Sequence, residues 1–472
     1  MAIRINPKEA SVIIKSLEGG VVPSMGVQHL LVGRNREVDE VIKILDNIAD
    51  GGSDIRFWVG DFGSGKSFIL ATIEQIALQK NFVVSTLDLT PSRRFYASDR
   101  KAVALYTEII DNIKTKTSRT GNVLEVIIEQ WINQLASKIA SDLSIDVLDV
   151  LKGEKKDLVI NEILNTLARF KAVGLSYEFG QALSKYFEGF IADNRLLKTN
   201  AIRWLRGDIT TKTEAKNILG INQIITDDNW FDALKNMSEL FLEIGFAGFV
   251  VNFDEAVNLY KIPQSVTRER NYERILNIYN ETKSNDARGL FINFGATRKT
   301  IFDENRGMSS YGALKGRLGS EDSMDTKLIN TNRTVLALKP LTNEEIYTLL
   351  ENLVNVYNVN YHESIEISNE EIIAYMEGQL NRPGADEFLT PRAVIKDFLE
   401  ILDLKRQNPH VEIAEILNMK FKNIMDVIKD PADTDDEIEI IWQILIHCLT
   451  GTLDFISTKR AGHRLQKSKM QL

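Results

Sequence analysis

The chain has 472 residues, 44% hydrophobic and 26% charged, with 57 Lys and Arg against 66 Asp and Glu for a net charge of -9. This composition provides a large core in two or three domains, excludes a disordered chain and disfavours a surface wholly committed to nucleic acid; a local basic patch or charged pore stays compatible with it. A single cysteine, Cys448, excludes an intramolecular disulfide, and the charged N-terminus lacks the apolar block of a signal peptide. The strongest apolar runs, Phe246 to Val251 and Ile440 to Leu449, are short or interrupted beside the roughly 18 residues that cross a bilayer. A cytoplasmic protein without a membrane partner is expected.

In chain order, Leu30-Leu31-Val32-Gly33-Arg34 reads as a strap leading into a helix, because Val38, Val41, Ile42, Ile44, Leu45 and Ile48 recur mostly three or four apart. The apolar run Ile55 to Val59 reads as a strand. It is followed by Gly60-Asp61-Phe62-Gly63-Ser64-Gly65-Lys66-Ser67, a complete G-x-x-x-x-G-K-S phosphate loop opening a helix at Phe68. Glycines let consecutive N-H groups curl around a phosphate, and the helix N-terminus adds a favourable dipole. Nucleotide contacts are therefore expected from Gly60 through Phe68, with Lys66 on the β- and γ-phosphates of ATP and Ser67 on magnesium. The plain alternative is an ordinary strand-to-helix turn.

Phe82 to Leu89 predicts a second strand, closed by Thr90-Pro91. From Lys101 to Leu242 helix-spaced apolar residues, such as Val123, Leu124, Ile127, Ile128, Trp131, Ile132 and Leu135, predict a helical insertion without a comparable strand. The sheet resumes at Gly248 to Phe253 and ends in Asp254-Glu255, as a buried parallel strand does where it reaches a ligand crevice. Asp254 would bind Mg2+ and Glu255 would orient or deprotonate the attacking water; a solvated strand end is the alternative. A further strand, Leu290 to Ala296, stops at Thr297, whose side chain either senses the γ-phosphate or caps a helix. Asn252 and Asn293 interrupt two apolar strands, and a buried amide without a partner costs about 1 to 3 kcal/mol, so the two are expected to bond to each other.

Asn330 to Leu338 predicts a last strand, and Thr342 with Glu345 predicts a capping box opening a helix. Helical spacing in Ile346, Leu349, Leu350, Leu353 and Val354, and again in Val394, Ile395, Phe398, Leu399 and Leu402, predicts a helical lid. The acidic run Asp433 to Glu437 reads as a hinge or solvated N-cap region before a helix over Ile438 to Leu449. The basic tail from Lys459 to Lys469 reads as phosphate-contacting or simply solvated, as do Arg93, Arg94 and Lys101, which are also candidates for an oligomer pore. The histidines and the lone cysteine have no ligand spacing, so no metal beyond magnesium is implied.

Together and in order these features resemble the AAA+ class, nearest its initiator and signalling-switch branches. The segments SLEGGVVPSMGVQHLLVGR, VGDFGSGKSF, LDLTPSRRF, RWLRGD, SSYGALKGRL and FLTPRAVIKDFLE, spread from residue 16 to residue 400, resemble the ATP-binding proteins of BREX-type and related bacterial phage-defence loci. The resemblance implies an α/β, three-layer P-loop core with a parallel sheet, a large helical insertion, a helical lid and a C-terminal helical element. The implied division is 1–105 for the strap and first half of the core, 106–242 for the insertion, 243–340 for the second half, 341–405 for the lid and 406–472 for the C-terminal element.

The resemblance also makes Val32, Gly33 and Arg34 the adenine-side strap, Arg392 a second phosphate sensor, and Arg317 an arginine finger for a neighbouring subunit, with Arg306 in reserve. Where the family pattern has Gly-Gly-Thr-Pro, this chain has Gly295-Ala296-Thr297-Arg298, which leaves the role of Thr297 open. The implied function is an ATPase of anti-phage defence, coupling ATP to homo-oligomer assembly and to double-stranded DNA or partner proteins such as a helicase, nuclease or methyltransferase. The alternative is a slow nucleotide-dependent switch or scaffold that recruits effectors without acting on DNA.

Overall fold

The structure, a computed structural model, describes residues 5–97, 99–120, 123–152, 155–170, 174–321, 330–381 and 390–421. The expectations for the acidic run 433–437, the helix 438–449 and the basic tail lie outside these residues. Six strands form one sheet: β1 (Asp54–Val59), β2 (Val83–Asp88), β3 (Ile113–Lys114), β4 (Phe249–Asp254), β5 (Leu290–Ala296) and β6 (Val335–Ala337). Their order is β3-β2-β4-β5-β1-β6, parallel throughout except where β3 runs antiparallel to β2.

The central strands read as apolar runs because both faces are covered. Ile55, Phe57 and Val59 of β1, Phe249, Val251 and Phe253 of β4, and Leu290, Ile292 and Phe294 of β5 enter one core, where the Phe57 and Phe294 rings stack at 4.8 Å. Trp58, Val250 and Phe291 enter the opposite core, beneath two helices: α2 (Asn35–Ala49) contributes Val41, Ile44, Leu45 and Ile48, and α3 (Lys66–Gln79) contributes Ile69, Leu70 and Ile73. The helix that precedes them, α1 (Pro7–Glu18), packs elsewhere.

On the α3 side of the sheet the two interrupting amides meet. Asn252 and Asn293 are opposite one another in the β4–β5 register, and Asn293 Nδ2 donates to Asn252 Oδ1 at 3.0 Å. Trp58 Nε1 donates to Asn293 Oδ1 at 2.9 Å, while Asn252 Nδ2 donates to Leu70 O and to Thr86 Oγ1. The chain continues from Thr86 Oγ1 to Glu74, whose carboxylate also receives Lys114 Nζ at 2.7 Å. Every strand from β1 to β5 thus contributes a group to one buried polar ladder.

Between β2 and β4 the described residues form a series of helices and their connections, from Lys101–Asp111 to Trp230–Ile244, with β3 at the sheet edge. The apolar side chains of these helices continue directly into the sheet core through Phe95, Tyr106, Trp131 and Trp230. The helix Lys101–Asp111 runs across residue 105, and the helix Pro391–Gln407 runs across residue 405.

The C-terminal helices Asn343–Tyr361, Asn369–Leu380, Pro391–Gln407 and Ile413–Lys420 build a core of their own, apart from the two faces of the sheet, and α1 belongs to it. Ala10, Ile13 and Ile14 form an apolar stripe on α1 that packs with Leu350, Leu353 and Leu402, and Tyr361 Oη donates to Glu18 at 3.2 Å. The expected Thr342–Glu345 capping box is present. No helix among the described residues is long and apolar enough to cross a membrane.

Replacing Asn293 by Leu leaves Trp58 Nε1 and Asn252 Oδ1 without their partner, at about 1 to 3 kcal/mol for each buried group. A clear fall in the urea midpoint is expected, whereas a midpoint equal to wild type would show that the ladder contributes nothing.

Candidate functional site

At the carboxyl ends of β1, β4 and β5 the chain encloses a cavity of about 410 Å³. Its polar end is the loop after β1. Gly63 and Gly65 take φ values of +83° and +91°, a region that favours glycine, and Gly65 immediately precedes α3. The loop closes through Gly60 N–H to Ala296 O and Ser64 N–H to Asp61 O. Lys66 Nζ donates to Gly60 O at 3.1 Å and Asp61 O at 2.7 Å.

The cavity suits a polyphosphate. Ser64 Oγ is buried without a hydrogen-bond partner in the structure, and the N-terminus of α3 opens onto the same space. Burial lowers the pKa of the Lys66 ammonium, an effect opposed by the charges of Asp254, Glu255 and Asp61. Phosphate oxygens would relieve that penalty.

Asp254 and Glu255 line the cavity beside Lys66. Asp254 Oδ1 accepts the Glu255 backbone N–H at 2.8 Å, and Glu255 holds φ at +54°, an uncommon conformation for a residue with a Cβ. Ala256 N–H donates to Gly295 O, which fixes the turn on its other side. These two hydrogen bonds hold Glu255 turned toward the cavity instead of continuing the strand, against strain of order 1 kcal/mol or more.

Of the residues expected at the site, Val32, Arg34, Phe62 to Phe68, Asp254, Glu255, Thr297 and Arg392 line this one cavity. Gly60 and Asp61 act through the carbonyls that hold Lys66. Gly33 lies against the Glu345 carboxylate, and Arg34 turns its guanidinium to backbone carbonyls. Thr297 is a helix N-cap, its Oγ1 accepting from Thr300 N–H at 3.2 Å, which realises one of its two expected roles.

Arg317 does not reach the cavity. Its Nε donates to Asn280 Oδ1 and its Nη1 to Ala313 O, both at 2.9 Å, on an exposed face of its own chain. Arg306 stacks over Tyr260 and donates to Tyr260 O and Ile262 O. Arg93 and Lys101, considered for a pore, pair with Glu108 and Asp99.

Sequence reasoning missed the apolar half of the cavity, built by Leu17, Val21, Val22, Pro23, Leu341, Leu349 and Ile395. The Gly19-Gly20 and Pro23 punctuation just after α1 was the available signal for a shaped loop there. It also missed Asp88, opposite Asp254 in the β2–β4 register, whose pKa is raised by burial and by the Asp254 charge.

A model of the family of BREX system ATP-binding proteins BrxC/D matches residues 5–421. The chain belongs to this family. It is therefore an ATP-binding protein of the BREX defence system, and the family match extends over the sheet, the C-terminal helices and the helices between β2 and β4. No curated protein matches the chain at a significant level.

Because Lys66 is held below its ordinary pKa, ATP affinity should fall as pH rises, beginning earlier than for an exposed lysine, since the deprotonated amine no longer attracts phosphate. Lys66→Arg, which does not titrate, should abolish that alkaline loss in a binding titration. An unchanged alkaline loss in the variant would assign it to another group.

Proposed function

We propose that this BREX protein is an AAA+ type ATPase that hydrolyses ATP and couples its nucleotide state to assembly of a homo-oligomer and to action on partner defence proteins or double-stranded DNA. The observation that carries this reading is that Lys66, Asp254 and Glu255 meet on one cavity with Arg392 from the C-terminal helices. The helices Asn343–Tyr361, Asn369–Leu380 and Pro391–Gln407 then act as the lid, Ile413–Lys420 belongs to the C-terminal element, and the helices between β2 and β4 act as an insertion.

Each residue has a distinct task. The loop N–H groups and Lys66 hold the phosphates and neutralise their charge, while Arg392 approaches from the lid. Ser67 and Asp254 would hold Mg2+, which supplies positive charge at the β- and γ-phosphates. Glu255 orients a water and accepts its proton as the water oxygen attacks the γ-phosphorus and the bond to the β-phosphate oxygen breaks. Thr297, which begins the turn after β5, caps Thr300 through one oxygen lone pair, and its hydroxyl keeps further hydrogen-bonding capacity for this water.

Arg317 completes the site of a neighbouring subunit in this scheme, a role worth roughly a thousandfold in rate. Its hydrogen bonds to Asn280 and Ala313 also favour the second reading for an isolated chain, a slow switch or scaffold that retains ATP and recruits effectors.

Steady-state turnover, measured with and without double-stranded DNA, separates the two. Turnover raised by DNA and abolished by Glu255→Gln is expected for the motor; turnover at the level of that variant in both conditions would contradict it. Activity per molecule should also rise with protein concentration, and Arg317→Ala should remove that rise while leaving ATP binding nearly intact. Turnover independent of concentration would eliminate the finger.

A further inference from the structure

Arg34 is buried, with 6% of its surface exposed, at a point where three parts of the chain converge. One guanidinium nitrogen, Nη2, donates to two carbonyls: Ser64 O in the phosphate loop at 3.1 Å and Lys339 O at 2.7 Å. Lys339 lies in the short connection from β6 to the helix Asn343–Tyr361. The other terminal nitrogen, Nη1, faces the Glu37 carboxylate at 3.6 Å, in the first turn of α2. A buried charge persists where its donors are matched, and here the acceptors are main-chain atoms of the loop and the connection.

The preceding residue reinforces the junction. Gly33 has φ +65°, and a Cβ there would stand 2.3 Å from the Glu345 carboxylate. That carboxylate accepts the Thr342 N–H at 2.9 Å and so caps the first C-terminal helix. Within two residues the strap touches the phosphate loop, the connection and the first turn of the C-terminal helices. On the far side of the loop, Gly63 packs against Thr390, the N-cap of the helix carrying Arg392.

We propose that Arg34 is a positioning residue that ties the phosphate loop to the connection between the sheet and the C-terminal helices, so that the loop holds its nucleotide-binding shape while those helices are seated. The inference rests on the cavity being the ATP site. The two protons of Nη2 serve the backbone and not the adenine ring; the base is gripped by the apolar half of the cavity. Loop shape and helix position become one property, and nucleotide bound at the loop holds the connection as well.

The test uses the purified full-length chain and a fluorescent ATP analogue. Arg34→Met keeps an apolar stem of comparable length and removes both donors. It should weaken binding about tenfold or more, as expected for losing hydrogen bonds from a charged group. Arg34→Lys, whose ammonium carries enough protons for both carbonyls, should recover part of that loss. Equal affinity in wild type and Arg34→Met overturns the proposal.

Hydrogen exchange on the wild-type protein gives a readout that does not depend on how well the variants fold. ATP should slow exchange of amides 60–66 and 338–345 together, and protection confined to the loop overturns the proposal. Failure of the wild type to bind the analogue at all would instead overturn the assignment of the cavity.

Discussion

The site depends on where α3 sits over the sheet, and a buried polar ladder fixes that position. Asn252 on β4 can satisfy its amide only if Leu70 O of α3 and Thr86 of β2 are both within reach, and Asn293 on β5 only if Trp58 and Asn252 are. Apolar packing alone is non-directional and tolerates small slides of a helix along a sheet. Unpaired amides do not, because each costs about 1 to 3 kcal/mol when orphaned. The ladder therefore sets the N-terminus of α3, and with it Lys66, at the height of the carboxylates that follow β4.

The cavity joins the sheet core, taken with both its faces, to the separate core of the C-terminal helices. The phosphate half comes from turns at the ends of β1, β4 and β5, whereas the apolar half comes from α1, the loop after it and the C-terminal helices. A nucleotide that fills both halves necessarily bridges the two cores, with polar contacts on one side and buried apolar area on the other. In the proposed scheme this division is what would let occupancy bias the position of one core against the other.

The parts visible in the sequence were those whose physics is local. A parallel strand covered on both faces is a continuous apolar run, so β1, β2, β4 and β5 were legible, and the phosphate loop was legible because each of its glycines answers a backbone requirement at a fixed spacing. The Asn252–Asn293 pair followed from the cost of an unpaired amide, once both strands were recognised. The last strand expected within Asn330 to Leu338 is β6, whereas long-range packing hid β3 and the place of α1. β3 is two residues long and exists through its pairing with β2, and α1 joins the C-terminal core through an amphipathic stripe whose partner is more than three hundred residues away in sequence. Arg34 was visible as part of a strap, but its task is decided by Lys339, 305 positions later.

The central claim is that the adenine lies in the apolar half of this cavity with the phosphates on the loop after β1. Photolabelling with 8-azido-ATP, followed by peptide mapping, tests it most directly. The account predicts label within residues 17–32, 341–349 or 391–395, suppressed by excess ATP. Label placed reproducibly among the helices between β3 and β4, and competed by ATP, would contradict it.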